Sequence, residues 1–374
     1  MIKELARRFT KTATILLLLY IFLVSISLLS DAFKMFGTGF AHSLIQTTSN
    51  PFVGLFIGIL ATSLIQSSST TTSIIVGFVA SGALTVENAI PMVMGANIGT
   101  TVTNTLVSLA HITRKEEFKR AMACSSLHDI FNILTVMILF PLELATGYLR
   151  HSASFLANIF GEFAGVKVMS PLKAIIKPAI DLVKHTLLDN MGLSEKATGI
   201  LMLVLAMILL FTALLLIVRV MKSSTAKRAE IVFNKILGRS GVIGIFMGLI
   251  FTAIVQSSSV TTSILVPIVA SGITTVEVIF PITMGANLGT TVTAILASLT
   301  GNVAGITIAF AHLLFNLTGT IVVYNIPLLK NGIINASKKL AAVCAERKPL
   351  AFVYALGVFY GIPALFIFIS KFFK

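Results

Sequence analysis

Apolar stretches long enough to cross a bilayer alternate with short polar or basic intervals along most of this chain. Five of them read as simple spans: residues 12–30, 121–140, 198–218, 303–326 and 350–370. Two further apolar runs, 51–65 and 241–255, are too short to cross comfortably. Each ends in Gln-Ser-Ser-Ser and is followed by a second apolar run. The pattern predicts a helical hairpin that enters and leaves on one side, over 51–82 and again over 241–272. After each hairpin comes a crossing, 85–109 and 274–299, in which glycines flank an asparagine. Those glycines predict an interruption at 95–101 and at 285–291. With apolar runs of span length, the expected fold is all-α and polytopic.

The two hairpin regions are an internal repeat. Residues 66–109 and 256–299 align without a gap, with about 29 of 44 positions identical. Both copies carry Q-S-S-S (Gln66 to Ser69, Gln256 to Ser259) and G-A-N-x-G-T-T-V-T (Gly95 to Thr103, Gly285 to Thr293). The similarity reaches the next span, where His312, Phe315 and Asn316 echo His128, Phe131 and Asn132. The first repeat therefore occupies 12–140 and the second 198–326. A linker over 141–197, with amphipathic interfacial helices, separates them, and a basic loop with a last span closes the chain over 327–374.

Charge then sets sidedness. Lys3, Arg7, Arg8 and Lys11 precede the first span, and the intervals 111–120, 219–239 and 327–349 are rich in Lys and Arg, so all four should be cytoplasmic. The polar interval 31–50 and the linker 141–197 should lie outside. A cleaved signal peptide is the rival reading of the first span, but no small-residue cleavage site follows it. Span counting and loop charge agree that the two repeats enter from opposite sides, an inverted topology. Paired interrupted segments in inverted halves point to the binding site of a secondary transporter.

Composition supports this frame. Hydrophobic residues make up 56% of the chain and charged residues 11%, far too few charges for a soluble protein of this length. The formal net charge of +14 sits in loops beside spans, where it meets lipid headgroups and not nucleic acid. The two cysteines, Cys124 and Cys344, form no disulfide framework or metal-ligand spacing. No phosphate-binding nucleotide loop occurs, and no serine has a spaced His and Asp, so an enzyme is excluded as the first reading.

The candidate chemistry is neutral and oxygen-rich. Three successive serines after a glutamine, twice, exceed what helix packing alone requires, and a helix that breaks there would offer hydroxyls and free N–H groups to a ligand. Asn97, Thr100 and Thr103, with Asn287, Thr290 and Thr293, supply the oxygens that a small hard cation binds. A glycine-rich packing seam is the alternative for that motif. Asp129 is the acidic residue deep inside a strong span, and the second repeat has Leu313 there. It could bind a cation, take a proton, or be satisfied by His128 or a nearby hydroxyl. Glu87 and Glu277 open helices, and Thr274 with Glu277 has capping-box spacing. His128 and His312 read as packed polar groups.

The doubled Q-S-S-S and G-A-N-x-G-T motifs, with L-H-D-I-F-N over 127–132, resemble the type II sodium-coupled phosphate cotransporters in a bacterial-sized form. The resemblance covers most of the chain from about residue 51 to 316. It implies an elevator-like transporter that moves inorganic phosphate with Na⁺ across the inner membrane, the N-terminus being cytoplasmic. It further implies phosphate contacts at Ser67, Ser68, Ser69, Ser257, Ser258, Ser259, Asn97 and Asn287. Na⁺ contacts would fall on Gln66, Gln256, Ser257, Thr290, Thr293, Thr100, Asp129 and Asn132. Gln256, Ser257, Thr290 and Thr293 match the family's central Na⁺ site, and Asp129 matches the aspartate of members whose cycle moves net charge. The sequence departs from the family at its peripheral Na⁺ site, where His111 and Arg114 stand in place of a Gln and an Asp, and leaves open whether that site survives. Its cysteine-bridged outer loop is also missing from 141–197.

Neither repeat places a Lys or Arg within the predicted site motifs, so the charge that offsets phosphate there must come from bound cations and helix N-termini. Na⁺ is thus expected as a co-transported ion, with no organic cofactor. Symport of another oxyanion or a dicarboxylate, and a phosphate channel or sensing scaffold, are the alternatives. The sequence leaves the oligomeric state open, a homodimer included.

Overall fold

A computed structural model describes residues 2–163, 171–186, 193–236 and 240–372, and among these every regular element is a helix. Six helices are long and apolar enough to cross a membrane, or seven if one pair bent by 100° counts as a single span. The first arm is α1 (Ile2–Met35), which packs along α10 (Glu195–Ile236).

The first repeat contains α3 (Pro51–Ile65), α4 (Ser68–Ser81), α5 (Val86–Gly99), α6 (Val102–Leu109) and α7 (Lys115–Thr146). The second contains α11 (Gly241–Val255), α12 (Ser258–Ala270), α13 (Val276–Ser298) and α14 (Val303–Asn325). Between them lie α8 (Tyr148–Phe163) and α9 (Pro171–Lys184), and α15 (Pro327–Glu346) follows. The last span is α16 (Pro349–Leu356) and α17 (Ile362–Ser370), joined by a π turn over Gly357–Gly361.

The repeats exchange their closing helices. α7, from the first repeat, packs on α12 of the second, while α14 packs on α4. One core accordingly joins Phe118 and Phe131 to Val255, Leu265, Phe280 and Met284. The other joins Ile59, Ile75 and Met94 to Ile308 and Phe315. Each of these two cores is thus shared between the repeats.

Segments assigned to one side by loop charge meet one another. Arg120 Nε donates to Ala270 O (2.7 Å), and Lys115 pairs with Glu346 (2.6 Å). Among the segments assigned outside, Arg150 pairs with Glu87, Asn88 Nδ2 donates to Ile45 O (3.0 Å), and Lys184 pairs with Asp31 (2.7 Å).

Four expectations are corrected. The polar interval 31–50 is largely helical, as the end of α1 and as α2 (Gly37–Thr47), because its polar residues lie on helices with apolar neighbours. The basic interval 327–349 is mostly α15, packed on α7 through Ile333, Ile334 and Ala341. Helix α10 likewise runs through most of 219–239. The interruption at 285–291 is absent: α13 is continuous, and in the first repeat only Thr100 and Thr101 separate α5 from α6.

The glycines explain that last difference. A Cβ on Gly95 would stand 2.0 Å from Leu55 O, and one on Gly285 would stand 1.9 Å from Ile245 O. These residues let α5 lie directly on α3 and α13 on α11, so they serve backbone approach and do not unwind the helix.

Candidate functional site

Both hairpin tips are built the same way. Gln66 closes α3 and Gln256 closes α11 in the left-handed region, at φ 57° and 60°. They are the non-glycine residues with positive φ among the described residues. Their N–H groups donate to Thr62 O (2.6 Å) and Thr252 O (2.7 Å). The next serine then starts the returning helix: Ser67 Oγ accepts from Thr70 N (3.2 Å), and Ser257 Oγ accepts from Val260 N (3.3 Å). A side chain in this region costs about 1 kcal/mol or more, and such strain collects at ligand sites. The Gln-Ser pair thus makes the turn, and the next two serines fall in the first turn of α4 or α12.

The tips face one another. Ser69 Oγ lies 3.4 Å from Gln256 O, and Thr100 Oγ1 lies 3.4 Å from Ser259 Oγ. Ser68, Ser69 and Ser258 are buried, while Ser67, Ser257 and Ser259 are half-buried. Of the expected cation ligands, Thr293 meets Gln256, its Oγ1 donating to Gln256 Oε1 (2.8 Å), while Thr290, one turn earlier on α13, donates to Ala286 O (3.1 Å). Gln256 Nε2 donates back to Ala253 O, which fixes the amide with its oxygen toward Thr293. Gln66 differs, since it is exposed, and Thr103 Oγ1, the counterpart of Thr293 in the first repeat, is buried without a hydrogen-bond partner.

Asn97 and Asn287 lie at the centre of a buried polar chain that stitches the repeats together. His128 Nε2 pairs with Asn287 Oδ1 (2.6 Å), and Asn287 Nδ2 donates to Asn132 Oδ1 (2.6 Å). Asn132 Nδ2 donates to Asn97 O (2.7 Å), and Asn97 Oδ1 accepts from Asn316 Nδ2 (3.2 Å) and meets His312 Nε2 (3.3 Å). At the other end, Asn104 joins His128 Nδ1 (3.2 Å) and accepts from Thr262 Oγ1 (2.9 Å). Each motif asparagine therefore meets the histidine of the opposite repeat. These side chains are buried, and for buried polar groups a missing partner is costly.

Asp129 is fully buried on α7. Its Oδ2 accepts from Tyr354 Oη (2.8 Å) and Thr105 Oγ1 (3.2 Å), whereas Oδ1 has no hydrogen-bond partner. Its neighbours are hydroxyls and not His128. Tyr354 and Thr105 were not legible as site residues, because neither lies in a motif that marks it. Asn104 carried a weak signal: it faces Ala294 in the repeat alignment, as Asp129 faces Leu313. Glu277 also departs from the capping expectation. The residue before α13 is Thr275, with no side-chain cap, and Glu277 pairs with Lys338.

An all-α membrane protein with two cross-packed, hairpin-bearing repeats and a buried, oxygen-lined centre has the build of a secondary transporter. A profile of the Na⁺/Pi-cotransporter family matches residues 21–171 and 194–335. The sodium-dependent phosphate transport protein 2A of Rattus norvegicus is 32% identical over 97% of this chain and 68% of its own length. The sodium-dependent phosphate transport protein 2B of Homo sapiens is 33% identical over 92% of this chain and 63% of its own length. The chain belongs to the Na⁺/Pi-cotransporter family. No solved structure matches it.

Proposed function

We propose that this protein is a Na⁺-coupled symporter of inorganic phosphate in the cell's inner membrane, with its N-terminus in the cytoplasm and its repeats inverted. The observation that carries this reading is the meeting of the two Q-S-S-S tips in a centre that has hydroxyls and amides but no Lys or Arg. The N-termini of α4 and α12 offer phosphate partial positive charge and serine hydroxyls. Gln256, Ser257, Thr290 and Thr293 offer oxygens to one Na⁺ beside it. Phosphate and Na⁺ then stabilise each other in one low-dielectric site, so neither binds well alone. That mutual dependence is the coupling.

Asp129 serves a further Na⁺. Its unpartnered Oδ1 supports a ligand role, and Asn132 three residues later lies on the same helix face. A cation held there adds positive charge to the moving complex and makes the cycle sensitive to membrane potential. Asn97 and Asn287, first read as phosphate contacts, act here through the polar chain that sets the distance between the tips.

The test is labelled phosphate uptake into proteoliposomes, competed with arsenate, sulfate and succinate. Competition by arsenate, with little effect of succinate, is expected. Transport of labelled succinate that phosphate fails to inhibit would overturn the assignment of substrate.

A further inference from the structure

Away from the hairpin tips, a cavity of about 700 Å³ opens where the start of α7, the end of α12, the start of α13 and the second half of α15 converge. Its rim carries Lys119, Arg120, Lys338 and Lys339 against two carboxylates, Glu116 and Glu277. Lys338 is engaged by Glu277, and the nearby Lys115 by Glu346. Lys119 and Lys339 are exposed and carry no ion pair among the described residues. Arg120 is half-buried. Its Nε is fixed on Ala270 O, and its guanidinium sits against the turn at Gly272. Thr274 and Thr275 add hydroxyls at the N-terminus of α13, where the helix dipole also favours an anion.

We infer that this cavity binds a phosphate-type anion, either the headgroup of an anionic phospholipid or free phosphate. It uses Lys119 and Lys339 as charge partners and Arg120 as a fixed donor. Three arguments carry this. The rim holds four cations against two carboxylates, a surplus of positive charge that an anion would offset. Basic pockets between membrane helices at the level of helix ends hold lipid phosphates. A volume near 700 Å³ suits a small organic ligand and is generous for one inorganic ion, which favours the headgroup.

The occupant would join α15 and α7 to the turn that ends the second hairpin. It would therefore bias the position of that hairpin while touching none of its tip residues. The inference does not rest on the proposed transport cycle, because the tip residues take no part in the cavity.

The test uses the purified, delipidated full chain in Na⁺-free buffer, as wild type and as the Lys119→Gln, Lys339→Gln double variant. Both side chains are exposed and make no close ion pair among the described residues, so the variant keeps its fold, checked by an unchanged melting temperature. Native mass spectrometry is run with phosphatidylglycerol and with phosphatidylcholine, and calorimetry with inorganic phosphate. Each charge near an anionic headgroup is worth about 1 kcal/mol, or roughly fivefold, so the double variant should bind the preferred probe about 25-fold more weakly. Selective phosphatidylglycerol binding that the variant loses identifies the lipid. Loss confined to inorganic phosphate identifies the free anion. Equal binding of both probes by wild type and variant, or binding of neither by wild type, overturns the inference. Phosphate bound equally by both proteins, with no phosphatidylglycerol binding that the variant loses, also overturns the inference and leaves the tip site untouched, so the two readings fail separately.

Discussion

Replacing Gly285 by Ala tests whether the motif glycines serve contact or unwinding. The added Cβ would stand 1.9 Å from Ile245 O, where ordinary contact begins at 3.4 Å. Helices α11 and α13 would have to part by about 1.5 Å, because the obstacle is backbone and cannot change rotamer. A gap of about 0.5–1 Å already forfeits a quarter to a half of each dispersion contact, so most contacts along this pair would weaken. Overpacking of this kind costs about 3 kcal/mol, the upper end of the usual range.

The functional consequence follows from the same shift. The 2.8 Å bond from Thr293 to Gln256 joins α13 to the end of α11 and would be lost. The assay is thermal unfolding in detergent together with Na⁺-dependent phosphate uptake, and Gly332→Ala serves as the control. Gly332 lies inside α15 with open space around its missing Cβ, so alanine there should be neutral or stabilising by about 0.5–1 kcal/mol. Gly285→Ala should melt several degrees lower and lose uptake. If it melts with wild type and transports normally, α11 and α13 do not touch as described and the unwound reading returns.

Three further outcomes are expected. Asp129→Asn keeps an acceptor for Tyr354 and Thr105 but loses the charge, so uptake should persist and lose its acceleration by an inside-negative potential; unchanged potential dependence in flux assays would remove Asp129 from the cation path. Tyr354→Phe deletes a donor to that carboxylate, a bond worth about 1.5–3 kcal/mol, and should raise the Na⁺ concentration for half-maximal uptake while leaving the phosphate dependence at saturating Na⁺ nearly unchanged. Thr293→Val removes the hydroxyl on Gln256 at almost constant volume and should weaken Na⁺ activation by about tenfold, with expression and melting close to wild type; an unchanged Na⁺ dependence would place the central cation elsewhere.

Much of the fold was legible because membrane helices announce themselves by length and apolarity, and because the repeat fixed the hairpin tips at Gln66 and Gln256. The sequence was misleading where one signal serves two purposes. Glycines beside Asn97 and Asn287 could loosen a helix or bring two helices together, and only the opposing carbonyls of Leu55 and Ile245 decide between them. Polar residues in 31–50 and 327–349 suggested loops, but amphipathic helices carry the same polarity on one face. The exchange of α7 and α14 between repeats was invisible, since no local pattern encodes which hairpin a helix will meet. That exchange is what turns His128 toward Asn287 and His312 toward Asn97, and it brings Tyr354 from the last span to Asp129.

The central claim is that phosphate movement is driven by Na⁺ bound with it between the two hairpin tips. The most direct measurement is labelled phosphate accumulation in proteoliposomes under an inward Na⁺ gradient, under a matched K⁺ gradient, and for Gln256→Ala in both. The account predicts saturable, uphill accumulation for wild type with Na⁺ alone, and its loss in Gln256→Ala. Accumulation that proceeds equally under K⁺, or that survives Gln256→Ala unchanged, would contradict it.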